Sequence, residues 1–92
     1  MVLEIISPEA ILVSGAVTSV SVPGVKGEFQ MLKNHALIVS ALGKGNVKIN
    51  AKNLKIAKGF DSLFTKSVDN YLLPINSGTI ELNNNKIIVL VD

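Results

Sequence analysis

The residues able to do chemistry are few in this chain, and they are poorly placed for it. His35 is the one histidine, so a multi-histidine metal site is excluded. A Ser-His-Asp triad needs only one imidazole, but no strained nucleophile turn lies beside His35. The seven carboxylates are scattered, and the nearest pair, Glu4 and Glu9, sits at strand ends. Gly43-Lys44-Gly45 is not a phosphate loop. That pattern requires Gly where Ile38 stands and Ser or Thr where Gly45 stands. Cysteine is absent, which removes disulfides, Cys-ligated zinc and thiol catalysis and fits a reducing compartment. These residue types argue against an enzyme and against a bound metal or other cofactor.

Charge and hydropathy exclude further classes. All nine basic residues are lysines, spread from Lys26 to Lys86, for a net charge of +2. Nucleic-acid binders rely on arginine for bidentate phosphate and guanine contacts, so no nucleic-acid partner is expected and the lysines read as solvated surface. The opening "MVLEIISPEA" lacks a basic segment, carries Glu4 and meets Pro8, unlike a signal peptide. No apolar run approaches the about 18 residues of a membrane span.

Positioning falls to strands. The chain has 92 residues, 48% of them hydrophobic, and only four aromatics, Phe29, Phe60, Phe64 and Tyr71. A chain of this length forms a single domain that buries roughly 60–65% of its unfolded surface. An aliphatic core rich in Val and Ile favours strands. "VLEII" (2–6), "AILVS" (10–14, broken at Gly15), "AVTSVSV" (16–22) and "EFQML" (28–32) read as strands. So do "ALIVSAL" (36–42, buried), "NVKIN" (46–50), "LKIA" (54–57), "YLLPIN" (71–76), "TIEL" (79–82) and "KIIVLV" (86–91). Pro74 cannot donate to a ladder and places its strand at an edge or bulge. In residues 58–70, Phe60, Leu63 and Phe64 fit either one face of a short helix or a loop with two anchoring phenylalanines. Short strands with frequent turn signals predict an all-β sandwich or barrel.

The least generic stretch is "SVSVPGVKGEFQMLKNHA" (19–36). Pro23, Gly24 and Gly27 are turn chemistry: proline presets φ and glycine accepts positive φ. His35 reads most simply as a turn histidine bonded to backbone. Neither explains why Glu28-Phe29 follows at once, nor why His-Ala follows after a short strand.

Taken together, "LEIISPE" (3–9), "SGAVTSVSVPGVKGEF" (14–29), Met31-Leu32 followed by Asn34-His35-Ala36, Ser40-Ala41-Leu42 with Gly45, and "NNKIIVLVD" (84–92) resemble the epsilon subunit of F-type ATP synthases. That family reads LEIxxPE, SGxV, VPGxxGEFGxLPxHAPL and then a closing strand. Departures are Gln30 for Gly, Lys33 and Leu37 for Pro, and "SGT" (77–79) for Gly-Gly. Residues 51–70 do not align and read as an added loop or short helix.

The resemblance implies a flattened β-sandwich of about ten strands and a rotor part that is not a catalyst. Such a subunit sits at the foot of the central stalk, joins the gamma subunit and rests on the membrane c-ring, reaching the catalytic head indirectly and the membrane only through the ring. It implies a ring-facing loop at Val25, Lys26, Gly27, Glu28 and Phe29, with Glu28 the residue of most weight. It implies gamma-facing positions at Ser7, His35 and Ser40, and a peripheral location on the cytoplasmic face of the membrane. Most family members continue into a C-terminal helical hairpin, so this chain is expected to be a short form or a piece ending at the domain boundary, without the nucleotide site that the hairpin brings. The competing reading is a free-standing β-sandwich module that binds some other protein; a metal or sugar enzyme on a jelly roll would need ligands this sequence lacks.

Overall fold

The computed structural model describes residues 1–31 and 37–92. Within them the period-two apolar pattern becomes ten strands and one turn of 3-10 helix. In order these are β1 (Val2–Ile6), β2 (Ile11–Ala16), β3 (Ser19–Gly24), β4 (Gly27–Met31), β5 (Ile38–Leu42), β6 (Gly45–Asn50), the 3-10 turn (Asp61–Leu63), β7 (Thr65–Ser67), β8 (Asn70–Ile75), β9 (Gly78–Asn83) and β10 (Lys86–Val91).

All ten belong to one hydrogen-bonded sheet in the order β2-β1-β10-β9-β5-β3-β6-β8-β7, with β4 on the other side of β3. The sheet folds over at β3. Ser19–Ser21 of that strand pair with β6, whereas its link to β5 is a single register pair, Gly24 with Leu42. Only Gly43 and Lys44 separate β5 from β6, so the chain passes abruptly from one half of the sheet to the other. The halves, β2-β1-β10-β9-β5 and β4-β3-β6-β8-β7, share one aliphatic core, as a sandwich must. Leu3, Ile5, Ile80, Leu82, Ile87 and Val89 enter it from the first half, and Val20, Val22, Met31, Val47, Ile49 and Leu73 from the second. No polar or charged side chain among the described residues is buried.

The free side of β2 is interrupted near its start. A bridge joins Val13 to Ile56, and the Ala57 N–H donates to the Leu12 carbonyl at 2.8 Å. Pairing at these positions shortens the stretch of edge open to a foreign strand. The first and last strands, β1 and β10, run parallel and in contact, while the other ladders among the described residues are antiparallel.

The all-β expectation holds, with three local corrections. Gly15 does not break its strand: it lies inside β2 opposite Leu3, because its backbone is extended and the strand needs no side chain there. "LKIA" is not a strand but a loop that meets β2 through the Ile56 bridge and the Ala57 N–H. "ALIVSAL" is not buried throughout. β5 covers the core with one face and leaves Val39 71% exposed on the other. In the 58–70 segment, left open between helix and loop, Asp61–Leu63 form a single 3-10 turn flanked by Phe64, which is buried, and Phe60, which packs partly against the core. Leu63, the third residue of the apparent helical stripe, points outward. Pro74 does lie where its strand has an open side, since β7 pairs only with Asn70, Tyr71 and Leu72 of β8.

Candidate interaction surfaces

The β3–β4 hairpin is built to hold a loop still. The chain reverses over Val25 and Lys26, with Gly24 paired to Gly27. Gly27 has φ 123°, a conformation that L side chains rarely adopt. Gly24 is needed for a different reason: a β-carbon there would lie 2.6 Å from Cε1 of Phe29 and 2.8 Å from the Gly27 carbonyl oxygen. The neighbouring β5–β6 turn clamps the hairpin from the side. The Gly43 N–H donates to the Pro23 carbonyl at 2.8 Å, and the Val25 N–H to the Ala41 carbonyl at 3.3 Å. On this base the loop presents an exposed Val25 and Lys26.

Glu28 leaves the hairpin on the outer side and meets Lys48 of β6, Nζ to Oε2 3.0 Å, with both side chains about half exposed at 51% and 50%. Ser40 shares a shallow cleft of about 400 Å³ with residues 24–29, and its hydroxyl donates to the Ala41 carbonyl at 3.2 Å. Ser7 shapes its own turn. Its hydroxyl oxygen accepts the N–H groups of Glu9 and Ala10, each at 3.3 Å, and its backbone N–H donates to the Ala10 carbonyl at 2.9 Å. His35 lies outside the described residues.

Register relates these positions. Ile6 is opposite Leu90, Val91 opposite Gly78, Gly78 opposite Leu42, and Leu42 opposite Gly24. The Ser7 turn and the Val25 loop therefore occupy the same end of the molecule, with β10, β9 and β5 between them. The structure thus brings Ser40 to the loop itself and sets Ser7 apart from it along that end.

The outer faces of the two halves differ in character. Across the first half one register line runs Ile11, Ile6, Leu90, Thr79, Ala41, while the next, Ser14, Glu4, Ile88, Glu81, Val39, mixes apolar and charged residues. Ile11 is 52% exposed and Leu90 48%. A sheet facing water on one side normally alternates polar outward, so this line is out of keeping with a solvated face. Across the second half the polar side chains of Ser19, Ser21, Gln30, Lys48, Asn50 and Asn70 line a trough of about 630 Å³ together with Glu28, Phe29, Tyr71 and Leu72.

The apolar line and Lys48 went unread in the sequence. A signal for the line was present: in "EII" and "KIIVLV" the positions that strand alternation turns outward, Ile6, Ile88 and Leu90, are apolar as well. Lys48 carried none, since its pairing depends on β4 and β6 flanking β3. Among the described residues no helix is long and apolar enough to cross a membrane, and no cluster of His, Cys, Asp and Glu could hold a metal.

Comparison with known proteins adds three findings. The family profile described as ATP synthase, Delta/Epsilon chain, beta-sandwich domain matches residues 1–63. An ATP synthase epsilon chain of Chlorobium limicola is 37% identical over 90 residues, covering 98% of this chain and 86% of the relative. One of Sulfurimonas denitrificans is 33% identical with the same coverage of this chain, which spans only 58% of that relative's length. In fold, the chain superposes with TM-score 0.71 on a chain in a cryo-EM structure of the central stalk and c-ring of the Tetrahymena thermophila mitochondrial ATP synthase, at 12% identity, over 99% of this chain and 62% of that one.

Proposed function

This chain belongs to the delta/epsilon chain family of ATP synthases, and we propose that it serves there as a non-catalytic central-stalk subunit, linking the gamma subunit to the membrane c-ring so that ion flow drives ATP synthesis. The observation that carries this reading is the apolar register line Ile11–Ile6–Leu90–Thr79–Ala41 on the outside of one half-sheet, with a clamped loop at its end. A stalk part must be gripped along one side and must press on something at one end. The apolar face supplies the grip, and gamma is its partner. A stable interface buries on the order of 1,600 Å² in total, and taking exposed apolar side chains such as Ile11 and Leu90 out of water is favourable.

The loop Val25–Phe29 meets the polar loops of the c-ring. Two independent backbone hydrogen bonds from the β5–β6 turn keep it from yielding under torque. Glu28 supplies a carboxylate for basic groups on the ring, which fixes register more than it adds affinity. Ser7, His35 and Ser40 lie toward gamma in this reading. The subunit is peripheral, on the cytoplasmic side, and touches the membrane only through the ring; the catalytic head is reached through gamma.

Affinity purification of the tagged chain from its own cells tests this. The expected result is recovery of gamma, the catalytic-head proteins and the c-ring together with it. Recovery of the chain alone, or with unrelated proteins, contradicts the stalk assignment and favours a free-standing binding module.

A further inference from the structure

Glu28 is not a free carboxylate waiting for a partner. Lys48, on β6, reaches across β3 to it, and the β3 residues opposite the two, Pro23 and Ser21, are short enough to let the lysine pass. The other ion pairs among the described residues, Lys66–Asp61 and Lys86–Glu4, involve neither group. Because both side chains are about half exposed (51% and 50%), the pair shifts an equilibrium by no more than about fivefold. It is therefore weak enough to be exchanged. A cation arriving at Glu28 from a docking partner meets the Lys48 ammonium within a few ångströms, and the two repel.

We propose that Lys48 competes with the docking partner for Glu28, so that docking is an exchange of ion pairs and not the capture of a free anion. The partner is a loop carrying basic side chains, and this rests on the reading that Glu28 faces the ring. A neutral loop leaves the Lys48–Glu28 pair in place and is not affected by it, whereas a basic loop must displace Lys48 to reach Glu28. Lys48 therefore lowers the affinity for the basic partner and keeps its docking readily reversible.

A double-mutant cycle decides the matter. The purified chain is measured against the detergent-purified c-ring of the same synthase, as wild type, Lys48→Gln, Lys48→Arg, Glu28→Gln and the Lys48→Gln/Glu28→Gln double variant, at low and high salt. Melting curves check that each variant is folded. Lys48→Gln is expected to tighten binding about two- to fivefold at low salt, with the gain lost at high salt and in the Glu28→Gln background, and Lys48→Arg to bind like wild type. No change or a loss with Lys48→Gln, or an equal gain in both Glu28 backgrounds, overturns the competition while leaving Glu28 at the interface. A Glu28→Gln chain that binds like wild type, or a wild type that does not bind, overturns the ring-facing reading itself and the competition with it.

Discussion

The ring of Phe29 occupies the place where a side chain on Gly24 would begin, with Cε1 2.6 Å from a β-carbon built there. Gly24 lies in extended strand, so what it supplies is room and not an unusual φ. At this contact an aromatic ring is laid against the backbone of its own hairpin and braces it. Gly24→Ala must push the ring or the Gly27 carbonyl aside, which costs about 1–3 kcal/mol. At roughly 4–8 °C per kcal/mol for a domain of this size, thermal melting should show a clear drop. Adding Phe29→Leu should recover part of it, because the smaller side chain gives up the disputed space.

The alternation of β10 gives a sharp internal contrast. Ile87 is fully buried and Leu90, three residues on, is 48% exposed. Ile87→Ala should cost about 2–5 kcal/mol in chemical denaturation, the range for deleting a buried aliphatic side chain. Leu90→Lys should stay within about 0.5 kcal/mol of the parent. Comparable losses for both would mean that the two faces of this strand are wrongly assigned.

The β9–β10 hairpin turns on Asn84 and Asn85, with φ 50° and 64°. Two left-handed residues in a row are what a two-residue loop between right-twisted strands requires, and asparagine tolerates them where most residues do not. Asn84→Ala is expected to destabilise the chain by about 1 kcal/mol, and Asn84→Gly to keep its melting temperature within a few degrees. A loss that is equal for both would point to the asparagine side chain and away from the backbone.

Much of this fold could be read in the residues. Asn83-Asn84-Asn85, Ser77-Gly78 and Pro23-Gly24 with Gly27 marked their turns because turn chemistry is local. The interior strands declared themselves through Val and Ile at alternate positions. What stayed hidden was relational. "ALIVSAL" looked like a buried strand because apolar runs do not reveal which face meets a partner. "LKIA" alternates like a strand but has only Val13 of β2 to pair with at Ile56. The fold-over at Gly24–Leu42 and the Glu28–Lys48 pair join residues far apart in sequence, and nothing local announces them. The family motif carried the loop, yet it gave no hint that Ser40 lies against that loop.

The most direct test of the stalk assignment is the affinity of the purified chain for the purified gamma subunit, compared between wild type, Leu90→Lys on the apolar face and Ser21→Lys in the polar trough. The prediction is tight binding by wild type and by Ser21→Lys, with a loss of at least about tenfold for Leu90→Lys, as for a charge placed at the centre of a desolvated interface. Unchanged binding by a folded Leu90→Lys chain, or a selective loss with Ser21→Lys, would contradict the account, because gamma would then grip some other face.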